Sequence, residues 1–394
     1  MVVDTRALNR SAVLTELLRS RPATRRDIAA TTGISAATVT RAVEDLLHEG
    51  IVREEEEIKT GARGRRAILL DLVVERAHVV GVDLGASNTR IIVADLAGNP
   101  LVAHQAVTPR DDDPGRLGDW LSGLICRLAG LWWDTTAQVR IGIPGAVRPV
   151  DGLVSNAPNL PQVESPGFQE ALRRGLGRPL VLDNDANYAL LGELRFGAAR
   201  EASTAVMLTF GTGLGAGIAI NGQVLRGASG VVGEFGQLPV GPLGSRLEHM
   251  VTGPGIMLRA AEAGVALSEP AALFDADGHP GLALLRGQFD SAVVIALVAA
   301  MVSCEPQCIV LGGQVGRRIA ADTERYREAV EVSLTVAPSI VAAELGDFSG
   351  AAGAVAEALR TCYLDLGADE QLIAGLPASS ALDAEAIRAV LTQG

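Results

Sequence analysis

The sequence is poor in lysine, in aromatic residues and in cysteine. Of the 34 basic side chains only Lys59 is a lysine, and aromatic residues make up 3% of the chain. The four cysteines, Cys126, Cys304, Cys308 and Cys362, are scattered without the paired spacing of a zinc knuckle or a small disulfide scaffold. We therefore expect core thiols in a reducing compartment, not a disulfide framework.

Membrane-spanning and secretory segments are not predicted either. Residues 1–10 lead directly into an amphipathic pattern and lack the basic start, apolar centre and small-residue cleavage site of a secretory signal. The longest apolar stretch, 292–302, is too short to cross a membrane and predicts a buried helix. We therefore expect a cytoplasmic protein with no membrane partner.

Acidic residues exceed basic ones only beyond the first 75 residues. Residues 1–75 hold 12 basic and 12 acidic side chains, so the remainder carries the whole net charge of −12. An acidic body of this kind is poorly suited to wrapping nucleic acid. Four of the N-terminal acids form one run at 54–57, and without that run the segment carries a charge of +4. The N-terminal segment therefore leaves room for a positive face.

Three amphipathic helices are predicted in the first 50 residues. Pro22 stops the first, Thr24 caps the second, and Gly33 ends it. Ser35 caps the third, whose apolar side chains recur at helical spacing up to Leu47. A tight turn joins the second and third helices, which predicts a helix-turn-helix whose last helix can enter the major groove of DNA.

The exposed face of this third helix, together with a following hairpin, predicts a DNA-binding surface. Small side chains allow close approach to the groove, and Arg41 can contact guanine or phosphate. Two strand-like segments after Gly50 are joined by a glycine- and arginine-rich turn, an arrangement typical of a wing that contacts the minor groove or its phosphates. A protein-binding module is the alternative interpretation. The predicted DNA-binding residues are Ser35, Ala37, Thr38, Arg41, Arg63, Arg65 and Arg66, and a dimer reading two half-sites is expected.

From residue 77 onward, β-strands with glycine turns alternate with alanine-rich helices, which predicts an α/β fold. A strand–turn–strand pattern occurs twice, about 127 residues apart, as a weak internal repeat. We expect the two turns to face each other across a cleft, where their backbone N–H groups can bind phosphate together with a third turn at 309–316. The candidate nucleotide-phosphate residues are Asp83, Gly85, Ser87, Gly211, Thr212, Gly213, Gly312 and Gly313.

Asn184 and Asp185 lie between a predicted strand and a predicted helix. Polar groups at such a junction point into a cleft, so Asp185 could accept a proton from a sugar hydroxyl as a general base while Asn184 holds an adjacent hydroxyl. The plainer alternative for Asp185 is a helix cap. The sequence pattern leaves both open.

After the winged helix, the motifs "DLGASNTR", "PGAV", "NAPNLP", "DNDAN", "GTGLGAG", "GEFGQ", "RLE" and "LGG" follow in order. This set resembles the ROK family (repressors, open reading frames and sugar kinases), in particular its branch with N-terminal DNA-binding domains. The resemblance implies an actin-like ATPase core of two ribonuclease-H-like lobes in a dimer or tetramer. The expected domains are a winged helix at 1–75 and a kinase-like domain at 76–394, with lobe one at about 76–185 plus the C-terminal helix and lobe two at about 186–350.

The resemblance also implies functional residues. In the family's kinases the catalytic base maps to Asp185. In most members the loop that begins here with "GEFGQ" carries a histidine in place of Gln237, followed by a zinc knuckle of three cysteines. This chain has no cysteine there, and the nearby His249 is a poor site by itself, so we expect no zinc. The predicted sugar-binding residues are Asn159, Asn184, Asp185, Glu234, Gln237 and Glu248.

These features together predict a sugar-responsive transcriptional regulator, most simply a repressor. Its kinase-like cleft would bind a sugar or sugar phosphate without a cofactor, and its partners would be operator DNA, the sugar effector and further copies of the chain in a homodimer or tetramer. The first alternative is an ATP-dependent sugar kinase that uses Asp185 and requires ATP and magnesium. The second is a constitutive DNA-binding scaffold with a degenerate lobe.

Overall fold

The computed structural model of the protein describes residues 5–60, 65–240, 245–275, 280–378 and 380–393, with the backbone alone at 56–60, 65–66 and 393. Within these ranges the chain forms a small N-terminal domain, two larger lobes that are each built on one sheet, and a C-terminal segment that returns to the first lobe. The two lobes face each other across a large cavity.

The N-terminal domain is a three-helix unit followed by a hairpin. Its elements are α1 (Thr5–Arg19), β1 (Ala23–Thr24), α2 (Arg25–Thr32), α3 (Ala36–His48), β2 (Val52–Thr60) and β3 (Arg65–Leu72). Strand β3 pairs antiparallel with both β1 and β2, which gives the order β1-β3-β2. This is the winged helix-turn-helix that the sequence predicts.

Side-chain caps explain where these helices begin and end. The Thr24 hydroxyl accepts the backbone N–H of Asp27 and the Asp27 carboxylate accepts the N–H of Thr24, which forms a reciprocal capping box. Gly33 ends α2 with a φ of 70°, a left-handed conformation that glycine adopts without strain. Ser35 caps α3 by accepting the N–H of Thr38. These local signals fix the tight turn between α2 and α3.

Lobe one follows with a mixed sheet. Its elements are β4 (His78–Leu84), β5 (Asn88–Asp95), β6 (Pro100–Val107), α4 (Pro114–Ala129), β7 (Thr136–Ile143), β8 (Ala146–Val147), β9 (Val154–Ser155), α5 (Pro166–Leu176) and β10 (Leu180–Asn184). Strands β4, β5 and β6 form an antiparallel meander, and β7 and β10 add to it in parallel. Helices α4 and α5 pack against each other beside the lobe-one core.

Lobe two repeats this plan. Its elements are α6 (Asp185–Phe196), β11 (Ala205–Phe210), β12 (Leu214–Ile220), β13 (Gln223–Val224), α7 (Glu248–Val251), α8 (Gly253–Glu262), α9 (Pro280–Cys304), β14 (Cys308–Gly312), α10 (Gly313–Ile319), α11 (Thr323–Leu334) and β15 (Ser339–Ala342). Strand order is β13-β12-β11-β14-β15 here and β6-β5-β4-β7-β10 in lobe one, with the same parallel and antiparallel neighbours. The weak sequence repeat therefore corresponds to two lobes of one topology, as the resemblance implies.

The C-terminal segment crosses back from lobe two to lobe one. It contains α12 (Ser349–Asp365), α13 (Ala384–Ala389) and β16 (Leu391–Gln393). Helix α12 packs on β4, β5, β7 and α6, and β16 pairs parallel with β6 at the edge of the lobe-one sheet. The end of the chain is thus built into the first lobe.

Glycines allow α6 and α12 to pack in direct backbone contact. A Cβ atom on Gly353 of α12 would overlap with the carbonyl oxygen of Tyr188 in α6, and one on Gly192 of α6 would overlap with the carbonyl oxygen of Ser349 in α12. No side chain separates the two backbones at these positions, so the helices pack tightly against each other. Both helices begin at the cavity, which their first residues line.

A continuous apolar core joins the winged helix to lobe one. One cluster contains Leu14 and Leu17 of α1, Leu46 of α3, and Leu359 and Tyr363 of α12, each 1% exposed or less. The winged helix is therefore packed onto lobe one and is not a separate domain joined only by a linker.

Helix α9 is longer than the sequence suggests. The apolar run at 292–302 lies in a helix of 25 residues. By length and composition alone this helix is apolar enough to cross a membrane, since an 18-residue window of it has a mean hydropathy of 1.7. Its inner side, with Phe289, Val293 and Leu297 at 2% exposed or less, packs into the lobe-two core. We therefore describe α9 as a core helix of lobe two whose outer side, at Leu284 and Val302, faces solvent.

Candidate functional site

The cavity between the lobes has a volume of about 660 Å³. The turns that follow β4, β7, β11 and β14 contribute to its walls, together with the starts of α6, α8, α10 and α12. Strand ends and helix N-termini from both lobes therefore converge on one space, which is the arrangement that the duplicated topology predicts.

Both glycine turns of the internal repeat, the one after β4 and the one after β11, line the cavity. Phosphate binding by these turns stays a prediction. The cavity-lining members of the predicted phosphate set are Asp83, Gly85, Ser87, Gly211, Thr212, Gly213 and Gly313.

Gly312 is an exception to the predicted phosphate set. It lies behind the wall, since the space for a side chain on it is occupied by the terminal methyl group of Met207 from β11. Its neighbour Gly313, with a φ of 79°, turns the chain into the cavity instead. Gly312 is therefore not among the residues that line the cavity, and its assignment to the phosphate site stays a prediction.

Asn184 and Asp185 make different hydrogen bonds at the start of α6. Asn184 caps the helix, because its Oδ1 accepts the N–H of Asn187 while its Nδ2 donates to the carbonyl oxygen of Gly145 at 2.9 Å. Asp185 is the first helical residue, and its Oδ1 accepts the N–H of Ala186 at 2.7 Å. The capping role that the sequence left open for Asp185 thus belongs to Asn184, and both side chains line the cavity.

Glu234, Gln237 and Glu248 line the cavity from lobe two, and Asn159 lines it from lobe one. Gln237 ends a short 3-10 helix, and Arg246 donates from Nη1 to its Oε1 at 2.6 Å. This bond orients the Gln237 amide, whose NH2 group can donate hydrogen bonds. Such a set suits a ligand that carries several hydroxyl groups.

The residues at this wall do not fit a zinc ion. The described part of the chain contains no group of three or more His, Cys, Asp or Glu side chains that could hold a metal. Strand-like pairing of Pro239 with Arg246 and the bond from Arg246 to Gln237 connect the two ends of the loop instead. His249 is exposed on α7 and has no thiolate beside it in the sequence, so it offers no soft-ligand set.

The carboxyl groups of the cleft are electrostatically coupled. Burial raises the pKa of Asp185 to about 8, and the neighbouring Asp83 and Glu234 add to the rise. Burial and the charge of Glu248 raise the pKa of Glu234 to about 7. Burial raises the pKa of Asp83 to about 6, against the opposing effect of the Arg90 guanidinium. Near neutral pH these carboxyl groups are therefore partly protonated, Asp185 more than the other two.

These shifts predict that the ligand-free protein loses stability as the pH rises. The folded chain keeps protons that the unfolded chain releases above about pH 4, so the free energy of unfolding falls from there through about pH 8. The melting temperature should be lower at pH 8.5 than at pH 6, and Asp185→Asn should reduce that difference because the amide does not titrate. Asp134→Asn, at an exposed carboxyl, is the control. An unchanged pH dependence in Asp185→Asn would contradict the assignment.

The predicted DNA-binding surface is only partly covered by the structure. Ala37 and Arg41 are exposed on α3, while Ser35 and Thr38 form its N-terminal cap at the same end. The backbone of Arg65 and Arg66 pairs with Thr60 and Lys59 across β2 and β3. Arg63 lies outside the described residues.

Several residues important to this site were not predicted from the sequence. Arg90 belongs to the quoted "DLGASNTR" motif but was not singled out, and it lies 3.6 Å from the Asp83 carboxylate and 3.5 Å from Asp347. Asp347 also pairs with Arg317 of lobe two at 3.2 Å. Glu193 is fully buried and accepts four hydrogen bonds below the cleft. The position of Arg90 within the motif was the one available signal.

Two lobes of one topology around a polar cleft, carried with a winged helix, define a two-lobed α/β protein with an N-terminal winged helix-turn-helix domain. Residues 79–361 match the ROK family, and residues 8–53 match a winged helix-turn-helix DNA-binding family. The chain belongs to the ROK family and carries an N-terminal winged helix.

Curated relatives include both enzymes and regulators. The chain is 35% identical over 299 residues to the bifunctional enzyme NanE/NanK of Brucella melitensis, covering 72% of this chain and 54% of that protein. It is 30% identical to the xylose repressor of Caldicellulosiruptor bescii over 59% of each chain. It is 29% identical to the transcriptional dual regulator NagC of Escherichia coli over 61% of this chain and 59% of that one. The chain thus spans about half to three fifths of the length of these relatives.

Solved structures support the fold. The ROK hexokinase from Thermus thermophilus is 30% identical, with a TM-score of 0.59, over 73% of this chain and 99% of that chain. A ROK family transcriptional regulator described as a homologue of the E. coli MLC protein has a TM-score of 0.73 over 92% of this chain and 98% of that one, at 19% identity. The second comparison includes the N-terminal domain in its coverage and supports the fold alone.

Proposed function

We propose that the protein is a sugar-responsive transcriptional regulator, most simply a repressor, that binds operator DNA through the winged helix. The observation that carries the proposal is the combination, in one packed chain, of a winged helix with a kinase-like cleft. The apolar cluster shared by α1, α3 and α12 connects the DNA-reading helix to the cleft. A ligand that changes lobe geometry can therefore change the position of α3.

The effector we propose is a sugar or sugar phosphate. Glu234, Gln237 and Glu248 bring carboxyl and amide groups to the cavity, which suits the hydroxyl groups of a sugar. Asp185, whose pKa is raised to about 8, adds a carboxyl group that donates when it is protonated. Arg90 and Arg110 also line the cavity and offer a counter-charge for a phosphate group. No metal or organic cofactor is part of this proposal.

Reading two DNA half-sites requires a symmetric assembly, so we propose a homodimer or tetramer. Relatives named as a xylose repressor and as an N-acetylglucosamine repressor support a sugar effector. The location that we propose is cytoplasmic, since operator DNA is there.

The proposal is tested by linking ligand binding to DNA binding. A duplex is first selected by the full chain from a random-sequence library, and its dissociation constant is measured with D-xylose, D-glucose, N-acetylglucosamine, N-acetylmannosamine and the 6-phosphates of the last three. A ligand that couples to DNA should change operator affinity by about 5- to 150-fold and raise the melting temperature. Arg41→Ala should weaken binding of the selected duplex by about 10- to 100-fold.

Arg173→Ala, an exposed arginine on α5 of lobe one, is the matched control and should bind the duplex like the wild type. If no duplex is enriched, or Arg41→Ala binds as tightly as the wild type, the DNA-binding part of the proposal fails. If no sugar of the panel alters either operator affinity or melting temperature, the sensor part fails.

A sugar kinase is the second candidate, favoured by the position of Asp185 beside intact glycine turns. The loop at Gln237, which lacks the zinc knuckle that the family resemblance implies, counts against an ordered catalytic cleft. The raised pKa of Asp185, about 8, does not decide between the two candidates, because part of the carboxyl groups is still ionised near neutral pH. Sugar-dependent formation of ADP from ATP and magnesium, lost in Asp185→Asn, would support the kinase. Absence of turnover across the same panel would exclude it for those sugars.

A further inference from the structure

The segment between α12 and α13 lies between the winged helix and both lobes. Its buried side chains, Ile373, Leu376 and Leu382, belong to the same apolar cluster as α1 and α12. Its backbone carbonyl groups accept bonds from arginines of other elements, namely Arg10 and Arg19 of α1 and Arg195 of α6. No role was assigned to this segment by the sequence.

Arg10, on α1, contacts the ends of two other helices. Its Nη1 donates to the carbonyl oxygen of Leu366 at 2.8 Å, its Nε donates to Glu49 Oε1 at 3.2 Å, and its Nη2 pairs with Glu49 Oε2. Its side chain is only 18% exposed. Since Leu366 is the C-cap of α12 and Glu49 is the C-cap of α3, Arg10 on α1 holds the C-terminal ends of both helices.

The Arg10 guanidinium suits the C-terminal end of α12. The last carbonyl groups of a helix have no partner within the helix and carry partial negative charge, which a guanidinium satisfies. Gly367 follows with a φ of 89°, and a Cβ atom there would lie 2.7 Å from Arg10 Nη1. Arg76, just before β4, donates to the carbonyl oxygen of Glu49 at 2.7 Å from the other side. The end of α3 is thus held between α12 and the first strand of lobe one.

The other end of α12 lies in the cleft. A Cβ atom on Gly350 would lie 2.9 Å from Cγ of Asp83, so helix and cleft wall are in contact. Asp347, two residues before α12, pairs with Arg90 of lobe one and Arg317 of lobe two. Any change in the separation of the lobes must alter this bridge. The 17 residues of α12 then span about 25 Å to Leu366.

We propose that Arg10 is a positioning residue for the DNA-reading helix, and that α12 carries changes at the Asp347 bridge to it through the Leu366 carbonyl. The inference rests on the proposed function and names the route by which its ligand site and its DNA site are coupled. Glycine packing against α6 makes α12 rigid, so a displacement at one end appears at the other. Arg10 converts that displacement into a movement of the end of α3.

The inference is tested by a double-mutant cycle that requires neither ligand nor DNA. Hydrogen exchange of the amides at 43–50 is measured in the full-length wild type, Asp347→Asn, Arg10→Ala and the double variant. Asp347→Asn should change exchange in this segment about threefold in the wild-type background and leave it unchanged when Arg10 is absent. A structural role of Arg10 alone would change the level of exchange in both backgrounds but not remove the effect of Asp347→Asn.

Arg6→Ala is the matched control, because it removes the other arginine–carboxylate pair between α1 and α3, with Asp45. In the Arg6→Ala background, Asp347→Asn should still change hydrogen exchange at 43–50. If Arg10→Ala fails to fold, Arg10→Lys replaces it, since lysine can pair with Glu49 but lacks the fork that also reaches Leu366. The inference is overturned if Asp347→Asn still changes hydrogen exchange at 43–50 in the Arg10 variant. It is also overturned if Asp347→Asn has no effect on that exchange in the wild-type background. Failure to select a DNA duplex would overturn the proposed function and leave this cycle interpretable.

Discussion

Glu193→Ala is expected to lower the free energy of unfolding by about 3–5 kcal/mol, because four donors, two of them on buried residues, lose their buried acceptor together. The carboxylate is fully buried on α6. It accepts the N–H groups of Ala198, Glu344 and Leu345 at 2.8–3.1 Å and the hydroxyl of Ser349 at 2.7 Å. It thus fixes the chain just before α12 to the end of α6.

The measurement is chemical denaturation together with thermal melting of the purified variant. Glu193→Gln keeps the volume but places an N–H group where donors already point, so it should be destabilised as well, by less than alanine. Glu170→Ala on α5 removes an exposed glutamate and should change stability by less than about 0.5 kcal/mol. A Glu193→Ala protein as stable as the Glu170→Ala protein would show that these bonds contribute no net stability.

Gly353→Ala is the second substitution with a large expected effect. The added methyl group would overlap with the carbonyl oxygen of Tyr188, so α6 and α12 would have to separate. Such overpacking costs about 1–3 kcal/mol or more, which exceeds the gain of about 1 kcal/mol in helix propensity. The net result is a lower melting temperature.

Gly287→Ala provides a control of opposite sign. Gly287 lies within α9, and a Cβ atom there meets nothing within 4 Å, so the propensity gain is uncompensated and the melting temperature should rise. The same chemical change therefore stabilises one helix and destabilises another. If both variants melted at the same temperature, direct backbone contact between α6 and α12 would be disproved.

The winged helix could be predicted closely because its signals are local. Thr24, Gly33 and Ser35 each act within four residues of their own position, and the structure confirms all three. The glycine turns of the cleft could be located for the same reason. Their meeting in one cavity was expected from the internal repeat and the family resemblance, and not from either turn by itself.

Other features depend on distant parts of the chain and had no local signal. Glu193 has the sequence context of an exposed helical glutamate, and three of its partners lie more than 150 residues later. The bond from Arg246 to Gln237 depends on how the short loop folds, so the sequence showed the missing zinc knuckle but not its replacement. Gly312 has the same sequence context as Gly313, and the packing of Met207 against it has no local signal in the sequence.

The extent of α9 was missed for a different reason. Gly281 and Gly287 lower the helix propensity of its first half, and a pattern based on apolar residues therefore began only at 292. Packing of Leu285 and Phe289 into the lobe-two core outweighs that local preference.

The pairing of β16 with β6 also bears on aggregation. An uncovered edge strand offers free N–H and C=O groups to any other extended chain, and β6 has such an edge on its outer side. The last strand covers that edge at Ala103, His104 and Gln105, and the Thr392 hydroxyl lies 3.1 Å from His104 Nδ1. Removing residues 391–393 would therefore expose β6 as a template for intermolecular β-pairing at lobe one.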